Sequence, residues 1–166
     1  MIRMTLAYIQ TRRMAIRDGL NALYTPLYDE LLDALDQTGQ LYWCPTTGLR
    51  DLKEQALLYA QGRTAPGAIV TNAPAGESAH DWGCATDFAY FDPSFSGQDF
   101  WNKADWDLYR DVVNEISGLT WGGTFQNFPD RPHNELKISV SWADVGRYFQ
   151  LNGEELTLNY IRTLVR

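Results

Sequence analysis

The chain contains two histidines, His80 and His133, and each lies in a stretch rich in carboxylates and turn-forming residues. The first stretch reads Ser78-Ala79-His80-Asp81-Trp82-Gly83-Cys84-Ala85-Thr86-Asp87, and the second reads Asp130-Arg131-Pro132-His133-Asn134-Glu135. Neutral imidazole and carboxylate are ligands that Zn²⁺ accepts, and three of them leave a fourth position open to water. His80, Asp87 and His133 make up such a set, with Gly83 permitting the tight turn that folds His80 back over the segment carrying Asp87. Two histidines sharing one helix face, as in H-E-x-x-H, do not occur, which excludes the helical type of zinc-peptidase site. On spacing alone, a hydrogen-bonded core histidine and a turn-capping Asp account for the same residues about equally well.

Hydrolysis at such a site needs a carboxylate that touches the attacking water without ligating the metal. Asp130 has that position, three residues before His133 with Pro132 stiffening the link. Glu135 is its rival, or else the partner that orients a ligand. A turn-forming Asp after Pro129 is the plain alternative for Asp130. Attack on an amide builds an oxyanion, and Arg50 is the cation offered to it. Pairing of Arg50 with Asp51 or Glu54 is the alternative. Ser78 presents a hydroxyl two residues before His80, either to a substrate carboxylate or to the loop backbone. Cys44 and Cys84 are too few for a disulfide framework and read as buried free thiols, with Cys84 a less favoured zinc ligand competing with Asp87.

The elements that must hold these residues read as short helices and strands in irregular alternation. Residues 5 to 24 form a first loosely amphipathic helix, and Thr25-Pro26 opens a second, with Leu27, Leu31 and Leu35 on one face and Gly39 at its end. Leu41 to Cys44 is a short buried strand stopped by Pro45. Asp51 and Glu54 start a helix from Leu52 to Gln61 that Gly62 terminates. Ala68 to Thr71 is strand-like, and residues 72 to 77 form a Gly/Pro loop. Ala85 to Phe91 alternates as a strand, fixing one face for Asp87. Residues 92 to 103 form a loop, and Trp106, Tyr109, Val113 and Ile116 mark a helix ended by Gly118. Leu119 to Trp121 and Leu136 to Val140 are strands. Ser141 with Asp144 caps a helix, and Leu156, Tyr160 and Leu164 mark a last one. Without regular strand-helix-strand units, the expected class is α+β with a small antiparallel sheet flanked by helices.

With 166 residues the chain fits one domain able to bury a real core. A net charge of -7 excludes a general nucleic-acid binder, which carries a basic face. Attraction to an anionic substrate must then come from basic residues near the site, with Lys53, Arg63 and Arg131 as candidates besides Arg50. Arg3, Arg12, Arg13 and Arg17 interrupt any apolar signal-peptide core, so no secretory signal is expected. No apolar run approaches a membrane span.

At these residues the sequence resembles the zinc peptidases that include D-alanyl-D-alanine carboxypeptidases, D-Ala-D-Ala dipeptidases and phage L-alanyl-D-glutamate endopeptidases. Ser78, His80, Gly83, Ala85 and Asp87 match the family's S-x-H-x-x-G-x-A-x-D pattern, and Asp130, Pro132 and His133 match its second signature. Gly48-Leu49-Arg50, Glu54-Gln55, Leu58-Tyr59 and Gly62-Arg63-Thr64 look like its Arg-bearing segment, and Trp121-Gly122-Gly123 is similar to the endopeptidase branch. The match covers about residues 40 to 140 of a single 1–166 domain with helical extensions at both ends. It implies a Hedgehog/DD-peptidase-like fold, Zn²⁺ held by His80, Asp87 and His133, Asp130 as base, Arg50 at the scissile carbonyl, and Ser78 and Gln55 at the substrate. The implied activity is cleavage of the L-Ala–D-Glu bond of the peptidoglycan stem peptide by a monomeric phage endolysin. Such an enzyme is made in the host cytoplasm and reaches the wall through a separate membrane-permeabilising protein. A D-alanyl-D-alanine carboxypeptidase or dipeptidase and a non-catalytic zinc-containing wall-binding module are the alternatives. Two departures from the family pattern, Asp51 after Arg50 and Asn134 after His133, are expected to bear on substrate fit.

Overall fold

The structure, a computed structural model, describes residues 5–97 and 99–165. Its centre is one antiparallel sheet of β1 (Trp43–Thr47), β2 (Ala85–Tyr90), β3 (Leu119–Trp121) and β4 (His133–Leu136), in the spatial order β1-β2-β4-β3. Helices α1 (Leu6–Arg17), α2 (Thr25–Gln37), α3 (Leu52–Ala60), the short α4 (Asp99–Asn102), α5 (Trp106–Glu115), α6 (Trp142–Asn152) and α7 (Glu154–Leu164) surround it. This is the α+β architecture expected. Among the described residues no helix is long and apolar enough to cross a membrane.

Side chains alternate between the two faces of a strand, and here the alternation separates core from chemistry. On β2 and β4, Thr86 lies opposite Asn134, while Asp87 lies opposite His133 and Ala85 opposite Glu135. Thr86 and Asn134 point into the interior, where both are fully buried beside Tyr24 and Tyr109. The Asn134 amide donates to the Thr86 carbonyl (3.0 Å) and the Tyr109 hydroxyl (2.7 Å), while its Oδ1 accepts from the Tyr24 hydroxyl. Tyr24 also shares a 2.7 Å hydrogen bond with Thr86. Asn134 is therefore a core polar residue facing away from the site, and the expected bearing on substrate fit is corrected. Asp51 caps α3, accepting from the Glu54 amide at 2.7 Å, as its capping-box position suggests.

Around this network the apolar core closes. Trp43, Phe88, Tyr28 and Tyr109 form an aromatic cluster, with Trp43 and Tyr109 5.0 Å apart and Phe88 and Tyr109 5.7 Å apart. Arg13 is buried on α1, where it forks onto both oxygens of Asp36 and donates to the Trp43 carbonyl, tying α1 and α2 to the edge of β1. Charge at that position is stable because each of the three guanidinium nitrogens has an acceptor. Cys44 and Cys84 are free and buried, and burial pushes their thiols up to about 11 and about 12.

Several boundaries differ from expectation for identifiable reasons. Pro45 does not stop β1, because β1 is an edge strand and a missing N–H is tolerated there. The last strand starts at His133 rather than Leu136, and beyond it only the Ile138–Val165 bridge continues the pairing. Ala68 to Thr71 forms no strand. With Ile69 and Val70 exposed and no partner strand beside it, its apolar run stays a loop. The first helix ends at Arg17, short of the Gly19 turn, and α4 lies inside the stretch read as a loop.

The terminal hairpin α6–α7 packs back onto the loop that leads to His80. A Cβ on Gly146 would lie 2.3 Å from Glu77 Cγ, so glycine lets α6 seat directly on that loop. Phe149 packs on Gly76 and edge-on to Trp82, with ring centres 5.3 Å apart.

Tyr24→Phe leaves the buried Asn134 Oδ1 and Thr86 hydroxyl short of a partner. The expected cost is about 1–3 kcal/mol, read as a lower denaturant midpoint at unchanged m-value.

Candidate metal centre

His80 stands on a single 3₁₀ turn, Ala79–Trp82, whose start is fixed by a reciprocal capping box between Ser78 and Asp81. Gly83 ends the turn at φ +64, and a Cβ there would lie 2.9 Å from the Asn21 nitrogen. The Gly83 carbonyl accepts from that same Asn21 N–H at 2.9 Å, so the chain before α2 presses on the turn from outside. This gives physical content to the glycine in the first motif: left-handed backbone and close approach together demand it. Asp87 comes from β2 and His133 from directly opposite on β4.

The three side chains converge. His80 Nε2 is 3.3 Å from Asp87 Oδ1, His133 Nδ1 is 3.1 Å from the same oxygen, and the two imidazole nitrogens are 3.2 Å apart. A four-coordinate zinc with bonds of about 2.0–2.1 Å sets its ligand atoms roughly 3.3 Å apart. The near-equilateral triangle is therefore one face of a tetrahedron of the right size. Among the described residues these three form the one group of this kind that could hold a metal ion.

Each imidazole has its other nitrogen committed. His80 Nδ1 donates to the Gly48 carbonyl at 2.8 Å, and His133 Nε2 donates to Glu135 Oε2 at 2.9 Å. Those bonds fix the tautomers so that both remaining lone pairs face Asp87. Glu135 is thus the orienting partner rather than the rival base. Burial alone would raise Asp87 and lower His133. The two imidazoles instead hold Asp87 well below the usual carboxylate range, while hydrogen bonds to Asp87 and Glu135 push His133 up to about 10. Such a cluster attracts a cation, and a metal must displace the proton from His133 to bind.

A cleft of about 410 Å³ opens over the triangle, lined by Arg50, Ser78, Asp130 and Glu135 together with apolar residues such as Val70, Phe125 and Phe128. Asp130 reaches it because the segment before β4 folds over Gly122. The Asp130 amide donates to the Gly122 carbonyl at 3.0 Å, and a Cβ on Gly122 would lie 2.7 Å from the Asp130 backbone carbonyl oxygen and 2.8 Å from His133 Cβ. Trp121 Nε1 donates to the Arg131 carbonyl at 2.8 Å and closes the same loop. Burial and the neighbouring Asp87 raise Asp130, matching a carboxylate that can both take and return a proton.

Arg50 is carried to the cleft by its backbone N–H, which donates to the His80 carbonyl at 3.0 Å. Its Nη1 donates to Gln55 Oε1 at 2.7 Å, and its Nη2 lies 3.9 Å from Asp87 Oδ2. Gln55, read from the sequence as a substrate contact, is fully buried and does not line the cleft. Its amide holds Arg50 on one side and donates to the Ala73 carbonyl at 2.7 Å on the other, so it positions Arg50. Ser78 lines the cleft and also accepts from the His80 N–H at 3.3 Å, so both readings of its hydroxyl meet in one place. Cys84 takes no part in the triangle; its thiol is directed to the Trp82 carbonyl.

The three converging side chains could hold a metal ion, and residues 71–136 match the family model described as D-alanyl-D-alanine carboxypeptidase. The matched segment contains His80, Asp87 and His133 together with Ser78 and Asp130, while Arg50 and Gln55 precede it. Peptidoglycan L-alanyl-D-glutamate endopeptidase CwlK of Bacillus subtilis (strain 168) is 40% identical over 99 residues, a match taking in 55% of this chain and 58% of that relative. The chain thus spans less than two thirds of that relative's length. The crystal structure of Serratia marcescens L-Ala D-Glu endopeptidase ChiX superposes with a TM-score of 0.50 over 86% of this chain and 91% of the other. At 17% identity that likeness is one of fold. The family model and the CwlK match agree with the resemblance read from the two motifs.

His133→Ala or Asp87→Ala should abolish stoichiometric zinc binding. Glu135→Gln should keep the site but weaken it about 10- to 100-fold, measured by competition with a chromogenic chelator.

Proposed function

We infer that this chain is a zinc-dependent peptidoglycan endopeptidase that hydrolyses the L-Ala–D-Glu bond of the stem peptide. The observation that carries the reading is the 3.1–3.3 Å ligand triangle at the floor of a cleft that also holds Asp130 and Arg50. The 40% identical relative is an L-alanyl-D-glutamate endopeptidase, which supports the choice of bond.

Zinc held by His80, Asp87 and His133 would polarise the scissile carbonyl and make the attacking water more acidic. Asp130 takes the proton of that water and returns it to the leaving amine nitrogen of D-Glu. Arg50 donates to the carbonyl oxygen as its negative charge grows, held for this by Gln55 from behind. Burial of Arg50 and the neighbouring ligands limits water around the developing charge, which strengthens that donation.

The family model's description favours a second reading, a D-alanyl-D-alanine carboxypeptidase working with the same residues. Release of terminal D-Ala, instead of new L-Ala and D-Glu ends, would replace the first reading with the second. The setting expected from the sequence, phage lysis with delivery through a separate membrane-permeabilising protein, is a narrower proposal. The bacterial origin of both named relatives favours wall turnover as its rival.

Digestion of purified peptidoglycan followed by mass spectrometry tests the assignment. Asp130→Ala should retain one zinc and lose about 10²- to 10⁴-fold in rate. Arg50→Met should retain zinc and lose about 10²-fold, mainly in kcat. Zinc bound without cleavage by the wild type would leave a binding module in place of an enzyme.

A further inference from the structure

The segment Gly62-Arg63-Thr64, singled out in the sequence, has no part in the chemistry above, yet Arg63 is committed to one wall of the cleft. Its Nη1 donates to the Tyr59 carbonyl (2.8 Å) and the Thr71 carbonyl (3.0 Å), and its Nη2 donates to Asn72 Oδ1 at 2.8 Å. The guanidinium also lies over the Tyr59 ring, 4.1 Å from its centre. Thr71, Asn72 and Ala73 all line the cleft. The same loop is held from its other side by Gln55, which donates to the Ala73 carbonyl and accepts from Arg50. One hydrogen-bonded chain therefore runs from Arg50 through Gln55 and the 71–73 loop to Arg63.

This arrangement decides which way the Asn72 amide faces. A guanidinium only donates, so Asn72 must give Arg63 its oxygen and turn its NH₂ group elsewhere. Asn72 is exposed on the cleft wall, so its NH₂ group is open to a ligand, and among the described residues it donates to no protein atom. Charge on Arg63 draws electron density from the amide through the 2.8 Å bond and makes the NH₂ a stronger donor. On the same cleft, Arg50 Nε and Trp142 Nε1 are buried donors with no protein acceptor. The cleft thus carries a surplus of oriented donors beside its acidic metal floor. An acceptor-rich group of the substrate is what such a surplus recognises.

We propose that Asn72, oriented and polarised by Arg63, forms a subsite for the free carboxylate of the substrate residue on the leaving side of the scissile bond. The proposal rests on the endopeptidase reading, in which that residue is D-Glu linked onward through its side chain, leaving its α-carboxylate unbonded. Asn72 touches the carboxylate, and Arg63 acts through Asn72 as a positioning residue. Carboxylate recognition here also resolves how a chain of net charge -7 attracts an anionic group: the positive charge is local and is delivered through an amide.

Two stem tripeptides differing at one group test it, one with the D-Glu α-carboxylate free and one with that group converted to the amide. Calorimetry is run on zinc-loaded Asp130→Asn protein, so that binding is read apart from turnover. The acid should bind about 10-fold or more tightly than the amide, the scale of one charge-assisted hydrogen bond. Adding Asn72→Ala or Arg63→Met should bring the ratio close to one by weakening the acid alone, with zinc content unchanged. Equal binding of the two peptides without those substitutions, no binding of either at millimolar concentration, or a preference that survives both substitutions would overturn the subsite. Cleavage of the acid peptide by wild type is scored separately. A protein that cleaves without preference keeps the reaction and loses the subsite, and one that prefers the acid without cleaving keeps the subsite and loses the reaction.

Discussion

Everything at the site depends on the antiparallel pairing of β2 with β4, which sets Asp87 directly across from His133. A strand register admits no half measures: a slip of one residue would send Asp87 or His133 into the core and bring Thr86 or Asn134 to the cleft. The buried amide network of Asn134 with Thr86, Tyr24 and Tyr109 opposes such a slip, because any other register would strand several polar groups in the apolar interior. The core face thereby specifies the geometry of the chemical face. The two faces have different partners but share one alignment.

Onto that sheet the remaining parts are fastened by short-range hydrogen bonds. The Gly48 carbonyl holds His80, the His80 carbonyl holds the Arg50 amide, and Gln55 holds the Arg50 guanidinium. The first two links join the loop before α3 to the 3₁₀ turn before β2, and the third ties that loop to α3, so His80 and Arg50 are positioned by one another. Loops supply most of the functional side chains, as is common where a rigid sheet lies beneath.

The chemistry was the most legible part of the sequence. Two histidines, their flanking carboxylates and the glycine between His80 and Asp87 marked the two stretches, while spacing alone left a core histidine and a turn-capping Asp equally open; the convergence of His80, Asp87 and His133 is a feature of the fold. The α+β class, helix α2 with its Pro in the first turn, and the capped helices α3 and α6 also followed from local signals. What was hidden depends on partners far away in sequence. Gln55 is a positioning residue because Arg50 and Ala73 happen to flank it, and nothing in its immediate sequence says so. Asn134 was misjudged because the expected strand began three residues too late, leaving its face undefined; the alternation of His133 and Glu135 about it was the available signal. Pro45 was read by its local rule, and only the position of β1 at the sheet edge suspends that rule. Arg13 gave no sign of burial, since its acceptors Asp36 and Trp43 lie more than twenty residues away.

The seating of α6 has a consequence for how the molecule comes into being. Gly146 and Phe149 close over Gly76, Glu77 and Trp82, the residues flanking the turn that carries His80. During synthesis the first signature stretch and β2 are made well before residues 146 to 149 exist. At translation rates of roughly 5–20 residues per second, that interval amounts to seconds for the stretch from His80 onward. The turn is complete in sequence but lacks its brace throughout that interval. Helix α6 therefore acts as a latch on a turn made well before it, and the nascent chain braces His80 only after the sheet residues are already available to pair.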